Sequence, residues 1–144
     1  MSYKTILAVL RSEADSDQVL SAALPLCVQH GSHLIGVHAE PAPVDYAMPL
    51  GIPDASYFKA AQKQAQERTD AIAKRFNERS EAAGVSAEWR KLGLFDRNAS
   101  FAALSSAFCA DLVIVQQASP DTDDSATAGL ETLLFDTGRP VLFV

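Results

Sequence analysis

Long apolar runs, cysteines and basic residues are all scarce in this sequence, and each shortage excludes a class of protein. No stretch approaches the roughly 20 consecutive apolar residues of a membrane-spanning helix. The first residues do not follow the basic, apolar and small-residue order of a secretory signal. A net charge of −6 argues against general nucleic-acid binding, which needs a basic face. We therefore expect a cytoplasmic protein that binds neither membranes nor nucleic acids.

Residues that carry catalysis or bind metals are also sparse. The two cysteines, Cys27 and Cys109, lie in apolar segments that we predict to be helical, which favours reduced core thiols over a disulfide or a metal pair. No cysteine or carboxylate cluster accompanies His30 and His33, so we expect no metal site. Motifs such as G-x-S-x-G and C-x-x-C are missing. The sequence therefore gives no positive evidence of catalysis, and whether the protein is an enzyme stays open.

What the chain does have is an alternation of strand-like and helical segments. Five segments of strand length, four of them apolar runs and the third alternating, are separated by single helical segments. This order predicts a parallel sheet with right-handed crossovers. The predicted fold class is α/β, a single domain over residues 1–144 with an open, doubly wound, five-stranded parallel sheet and helices on both faces. The strands are expected at Thr5–Leu10, His33–Ala39, Ser86–Gly93, Leu112–Gln117 and Pro140–Val144, with the third at an edge.

Two helices allow more detailed predictions. The first has Asp15 or Ser16 as its N-cap and ends at Gly31, with Pro25 as an awkward interior residue. The second should bury one stripe of residues, namely Phe58, Ala61, Ala65, Thr69, Ile72, Phe76, Ser80 and Ala83.

A proline-rich segment of about residues 40–55 separates the second strand from the second helix. It holds Pro41, Pro43, Pro49 and Pro53, four of the seven prolines. This composition predicts a long loop, either a surface crossover or a segment that covers a site or contacts a partner.

Ligands of doubly wound sheets lie beyond the carboxyl ends of the strands, where the strand order reverses. His38, close to such an end, is expected to be a packed and hydrogen-bonded histidine. The candidate ligand-binding positions are Leu10, Arg11 and Ser12 after the first strand, Ala39 after the second, and Val115, Gln116 and Gln117 at the end of the fourth.

The chain resembles a universal stress protein domain, which has the adenine nucleotide α-hydrolase-like fold. The resemblance covers the whole chain and is carried by "YKTILAVLRSEADSDQVLSAALPLCVQHGSHLIGVHAEP", "ADLVIV" and "GRPVLFV" in this order. It implies a role in the response to stress.

ATP-binding members of that family have a glycine motif after the fourth strand, because glycines let backbone N–H groups approach phosphate oxygens. In the matching segment "QQASPDTDDSATAG", Gln116 and Ser119 replace the first two glycines and Thr127-Ala128 replaces a Gly-Ser pair. Arg11 stands where the family commonly has an aspartate that holds the adenine. We therefore predict no cofactor and no ATP binding in the family manner. The alternative is ATP or AMP binding at a non-standard site of the candidate positions, Thr127 and Ala128 included.

The acidic, glycine-poor loop is similar to the first half of tandem universal stress proteins, so a second domain is possible after residue 144. An apolar last strand at a sheet edge needs cover. We expect the interface of a homodimer, or of a pair with a second universal stress domain, to use Val141, Leu142, Phe143 and Val144. The expected function is that of a non-catalytic module that acts through dimerisation or by sensing a partner or ligand.

Overall fold

Strands and helices alternate in the computed structural model, which describes residues 2–40, 55–92, 99–117 and 130–144. The strands are β1 (Thr5–Val9), β2 (His33–His38), β3 (Ala87–Lys91), β4 (Leu112–Val115) and β5 (Val141–Phe143). The helices of the described ranges are α1 (Glu13–His30), α2 (Ala55–Ala82), α3 (Ala99–Ala107) and α4 (Leu130–Asp136). All strand pairs are parallel, in the order β3-β2-β1-β4-β5. The predicted doubly wound sheet is confirmed. The proline-rich segment lies almost wholly outside the described residues.

β1 is the centre of the core because helices cover both of its faces. Its side chains alternate, and none of Ile6, Leu7, Ala8 and Val9 is more than 1% exposed. Ile6 and Ala8 belong to the core cluster with residues of α1 and α2, whereas Leu7 and Val9 belong to the cluster with residues of α3 and α4. This double coverage explains why the strand reads as a continuous apolar run.

Helix α1 begins earlier than the sequence predicted. Ser12, with extended backbone angles, is the N-cap, and its side chain accepts a hydrogen bond from the N–H of Asp15 at 3.1 Å. The prediction of Asp15 or Ser16 as the cap was wrong because both residues already lie in the helix. Gly31 ends α1 with a φ of 62°, as predicted. The helix continues through Pro25, which is exposed.

Helix α2 buries only part of the predicted stripe. Ala65, Thr69, Ile72, Phe76 and Ser80 are buried, but Phe58 is 43% exposed. The helix is longer than the sheet that it covers: the 28 residues of α2 rise about 42 Å, whereas a five-residue strand spans only about 17 Å. The start of α2 therefore lies beyond the part of the helix that packs on the sheet.

The two cysteines differ in their surroundings. Cys27 is 2% exposed, and burial raises the pKa of its thiol to about 11, which keeps it protonated and unreactive at neutral pH. Cys109 is exposed, so its prediction as a core residue was wrong. It follows the end of α3 and precedes β4, and thus lies outside the buried face of either element.

The amino end of β1 is tied to the segment before β4. The carboxylate of Asp111 accepts hydrogen bonds from the backbone N–H groups of Lys4 at 2.7 Å and Thr5 at 2.9 Å. These backbone hydrogen bonds lower the pKa of Asp111 because they favour its ionised form. Within the described part of the chain, no helix has the length and apolar character needed to span a membrane.

Gly36 of β2 lets α2 approach the sheet closely, which predicts a packing defect on substitution. A Cβ atom at this position would lie 2.6 Å from Cε2 of Phe76, and Phe76 is fully buried. We expect Gly36→Ala to lower the free energy of unfolding by about 1–3 kcal/mol, measured by denaturant titration. The control is the double variant Gly36→Ala, Phe76→Leu. Its free energy of unfolding should fall by less than the sum of the decreases in the two single variants. A Gly36→Ala protein as stable as the wild type would contradict the tight contact.

Candidate functional site

The strand order reverses between β1 and β4, and the two strands end side by side there. The chain leaves β1 towards β2 through α1, and crosses to β4 only after β3. Parallel sheets bind ligands in the crevice outside such a reversal. The structure brings together the predicted residues at the ends of these two strands, namely Leu10, Arg11 and Ser12 with Val115, Gln116 and Gln117. The predicted residue after β2, Ala39, is buried, with 2% of its surface exposed. Thr127 and Ala128 lie outside the described residues. We call the space beyond these two strand ends the switch crevice.

The side chain of Arg11 spans the switch crevice. Its Nη2 donates a hydrogen bond to the backbone oxygen of Gln116 at 3.1 Å, which ties the end of β1 to the end of β4. Its Nε lies 3.2 Å from Oδ2 of Asp15, four residues on in the first turn of α1. The side chain is only 11% exposed, so these contacts are largely removed from water. The guanidinium thus acts as an internal tie across the site.

Gln116 and Gln117 have different roles beside this tie. The side-chain Nε2 of Gln116 donates to Oε1 of Gln18 at 3.3 Å, whereas its own Oε1 is buried and has no hydrogen-bond partner among the residues that the structure describes. The backbone N–H of Gln117 donates to the oxygen of Val144 at 2.8 Å, and that of Val144 donates to Val115 at 3.1 Å. Gln117 therefore extends the pairing of β4 with β5, whereas the side chain of Gln116 contacts α1 through Gln18.

The amino terminus of α1 is less suited to phosphate than its position suggests. Backbone N–H groups and the helix dipole favour anions at such a terminus. Here the Ser12 side chain already accepts from Asp15, and its backbone oxygen accepts from the hydroxyl of Ser16 at 2.7 Å. The first turn also carries Glu13 and Asp15. Two carboxylates thus occupy the positive end of the helix.

A second polar group lies at the carboxyl end of β2. His38 is 2% exposed, and its Nδ1 is 2.7 Å from the backbone oxygen of Leu10. Its Nε2 is 3.0 Å from Oε2 of Glu40, which is 6% exposed. The other carboxylate oxygen, Oε1, accepts from Nε of Arg68 on α2 at 2.7 Å and also contacts Nη2. We call this series of contacts, from the Leu10 oxygen through His38 and Glu40 to Arg68, the His38 relay.

The sequence analysis found one member of this relay and missed two. His38 was expected to be packed and hydrogen-bonded, and the structure shows both. Glu40 follows it by two residues, a spacing that offered the only available signal, while Arg68 is 28 residues from Glu40 in the chain. Among the described residues, no group of three histidine, cysteine or acidic side chains is close enough to hold a metal ion.

Comparisons with known proteins identify the fold. No protein-family model and no curated protein matches the sequence. A universal stress protein family structure from Burkholderia pseudomallei is similar at 21% identity, with 99% of this chain and 96% of that chain covered and a TM-score of 0.62. A universal stress protein in complex with cAMP has 20% identity, 100% and 98% coverage and a TM-score of 0.60. One from Arabidopsis thaliana with AMP bound has 12% identity, 98% and 90% coverage and a TM-score of 0.62. The chain has the universal stress protein fold, as its resemblance implied.

The tie made by Arg11 predicts a measurable contribution to stability. Arg11→Met keeps the apolar stem but leaves the Gln116 oxygen and the Asp15 carboxylate without their guanidinium contacts. We expect the free energy of unfolding to fall by about 1–3 kcal/mol, because one hydrogen bond from a charged donor and one partly buried ion pair are lost. Denaturant unfolding measures the change.

Arg11→Lys is the matched control, because lysine keeps the charge but not the forked geometry. The free energy of unfolding of Arg11→Lys should lie between the values of the wild type and of Arg11→Met. Equal stability of all three proteins would show that the tie contributes nothing.

Proposed function

We propose that this chain is a non-catalytic stress-response module that does not bind ATP through the glycine motif of its fold relatives, and that it acts through dimerisation or by sensing a partner or another ligand. The observation that carries this proposal is the contact of Arg11 with the backbone oxygen of Gln116. It places a guanidinium across the crevice in which ligands of doubly wound sheets bind.

The chemistry of Arg11 opposes the adenine contact that the family resemblance implies. The carboxylate of an aspartate at this position can accept a hydrogen bond from an amino group such as that of adenine. Arginine has five N–H donors and no acceptor, so it cannot replace the aspartate in that contact. Its existing contacts with Gln116 and Asp15 would also have to break before the side chain could leave the crevice.

Charge opposes the phosphates as well. Between Arg97 and Arg139 the sequence has no lysine or arginine, but it has six acidic residues. Three of these acidic residues, Asp121, Asp123 and Asp124, lie in the sequence segment that matches the phosphate-binding glycine motif. Like charges about 4 Å apart repel by roughly 4 kcal/mol at an effective dielectric constant of 20. The acidic residues of this stretch are Asp111, Asp121, Asp123, Asp124, Glu131 and Asp136.

A second candidate function is nucleotide binding at a non-standard site. One observation favours it: within the described ranges the buried Oε1 of Gln116 has no hydrogen-bond partner, and an amide oxygen can accept from an amino group such as that of adenine. Arg11 would then turn from Gln116 to a phosphate. Two fold relatives are described as structures with cAMP and with AMP. This candidate uses Arg11 as a ligand contact, whereas the first uses it as an internal tie.

The proposed dimer uses the β5 edge. β5 is the last strand in the sheet order, and an apolar strand edge invites pairing with another chain. Leu142 is 38% exposed, and the adjoining α4 exposes Leu134 by 44% and Phe135 by 75%. An identical cytoplasmic subunit is the partner we propose, with a second universal stress domain after residue 144 as the other possibility for the same surface.

Calorimetric titration separates the two functions. We expect no heat when the nucleotide-free wild-type protein is titrated with ATP or AMP, with or without Mg²⁺. Arg11→Asp should gain detectable AMP binding because it restores an acceptor and removes the tie, whereas Lys59→Asp, the same charge change at an exposed position of α2, should not. Micromolar binding by the wild type, lost in Arg11→Met, would overturn the proposal in favour of the nucleotide-binding candidate.

The interface has its own test. Leu142→Glu places a charge on the exposed face of β5, and we expect it to convert a dimer into a monomer, measured by sedimentation equilibrium. Val28→Glu is the matched control, because Val28 is 63% exposed on α1, and it should leave the dimer intact. A wild-type monomer, or an intact dimer of Leu142→Glu, would exclude this interface.

A further inference from the structure

The His38 relay contains one more proton than a neutral histidine and an ionised glutamate provide. Nδ1 of His38 is 2.7 Å from a backbone carbonyl oxygen, and Nε2 is 3.0 Å from a carboxylate oxygen. A carbonyl oxygen and an ionised carboxylate can only accept hydrogen bonds, and a neutral imidazole has only one N–H to donate. Either both ring nitrogens carry hydrogen, or Glu40 is protonated.

Arg68 decides where this proton lies. Its guanidinium donates from Nε to Oε1 of Glu40 at 2.7 Å and contacts the same oxygen with Nη2. Charge-assisted hydrogen bonds of this kind favour the ionised carboxylate. With Glu40 ionised, His38 must hold the second proton.

Because the relay is buried, a change in its protonation affects the structure around it. The side chains of His38 and Glu40 are 1% and 6% exposed, so water cannot replace either partner. Leaving one member of a buried charge pair without its partner is far costlier than the same loss at the surface. A change in protonation must therefore be met by a change in the contacts of the relay.

We propose that His38 is held as an imidazolium and that the His38 relay is a proton-dependent clamp. With the proton in place, the relay joins the residue after β1, the end of β2 and helix α2. Without it, the lone pair of Nε2 faces the carboxylate of Glu40, and the link to Arg68 loses its partner on β2. The clamp is independent of whether the switch crevice binds a nucleotide.

The other charged groups near His38 make Glu40 the group that holds the imidazolium. On β3, Lys91 is the register partner of His38 and donates to Oε1 of Gln66 at 3.1 Å. Beyond β1, Arg11 follows Leu10 and is paired with Asp15. Lys91 and Arg68 are cationic and oppose a positive charge on His38, so Glu40 provides the attraction.

The direction of the pH effect follows from proton uptake on folding. Above about pH 6.5 a histidine of the unfolded chain is neutral, so a folded state with an imidazolium binds one more proton. The folding equilibrium constant then falls by up to about tenfold per pH unit as the pH rises. This contribution is fully present at lower pH, where both states carry the proton.

Heteronuclear NMR of the full chain with ¹⁵N-labelled histidine tests the charge state directly. We expect both ring nitrogens of His38 to carry hydrogen at neutral pH, with its signals assigned by their loss in His38→Gln. His33 is the internal comparison, because its side chain is 39% exposed and its Nδ1 faces the hydroxyl of Ser86. A neutral ring of His38 at neutral pH would overturn the proposal.

Glu40→Gln tests the clamp without removing its shape. The glutamine oxygen can accept from Arg68 while its amide group donates to an unprotonated Nε2. We expect His38 to become neutral with hydrogen on Nδ1, and the stability of the variant to depend less on pH above about 6.5 than that of the wild type. Parallel pH dependences of unfolding in the two proteins would overturn the clamp, whatever their absolute stabilities.

Discussion

The burial of β1 between two parallel neighbours and two layers of helices is the constraint on which the rest of the structure depends. A strand without an exposed edge or face can carry no chemistry along its length, and Ile6 to Val9 are accordingly closed to solvent. Polar groups can act only where the strand ends. The residues that follow, Leu10 and Arg11, are therefore the origin of the two polar arrangements at this end of the sheet, the His38 relay and the Arg11 tie. The first reaches β2 and α2 through the Leu10 oxygen, and the second reaches β4 through the Arg11 side chain.

The architecture could be predicted from the sequence because it depends on local apolar patterns. Runs such as those of β1 and β4 are buried on both faces and have no polar alternation, which distinguishes them from the amphipathic α2. Errors arose where a residue's environment depended on something other than this pattern. Asp15 has the chemistry of a cap, but Ser12 has the extended backbone and reaches the Asp15 N–H first. Phe58 fits the stripe of α2, but lies in the part of the helix beyond the packed core.

The candidate site was predictable in position but not in its contacts. Strand ends can be read from the sequence, which is enough to predict that Arg11 and Gln116 lie at strand ends close to the reversal of strand order. Their hydrogen bond joins residues 105 apart in the chain, and no local pattern encodes such a pairing. The same holds for Arg68, which meets Glu40 only because α2 packs across the sheet. Residue types near a site follow from sequence, whereas the partner that determines their charge and function follows from tertiary packing.

The two polar arrangements start from adjoining residues, since one uses the backbone oxygen of Leu10 and the other the side chain of Arg11. Arg11 places its cation inside the crevice, where Asp15 neutralises it. An anion can reach Arg11 only in competition with a carboxylate four residues away. The oxygen of the adjoining Leu10 contacts Nδ1 of His38 at 2.7 Å, so the residue before Arg11 is held by a separate, buried pair of side chains. The switch crevice and the His38 relay therefore start from neighbouring residues after β1, while each has its own acidic partner, Asp15 in the first and Glu40 in the second.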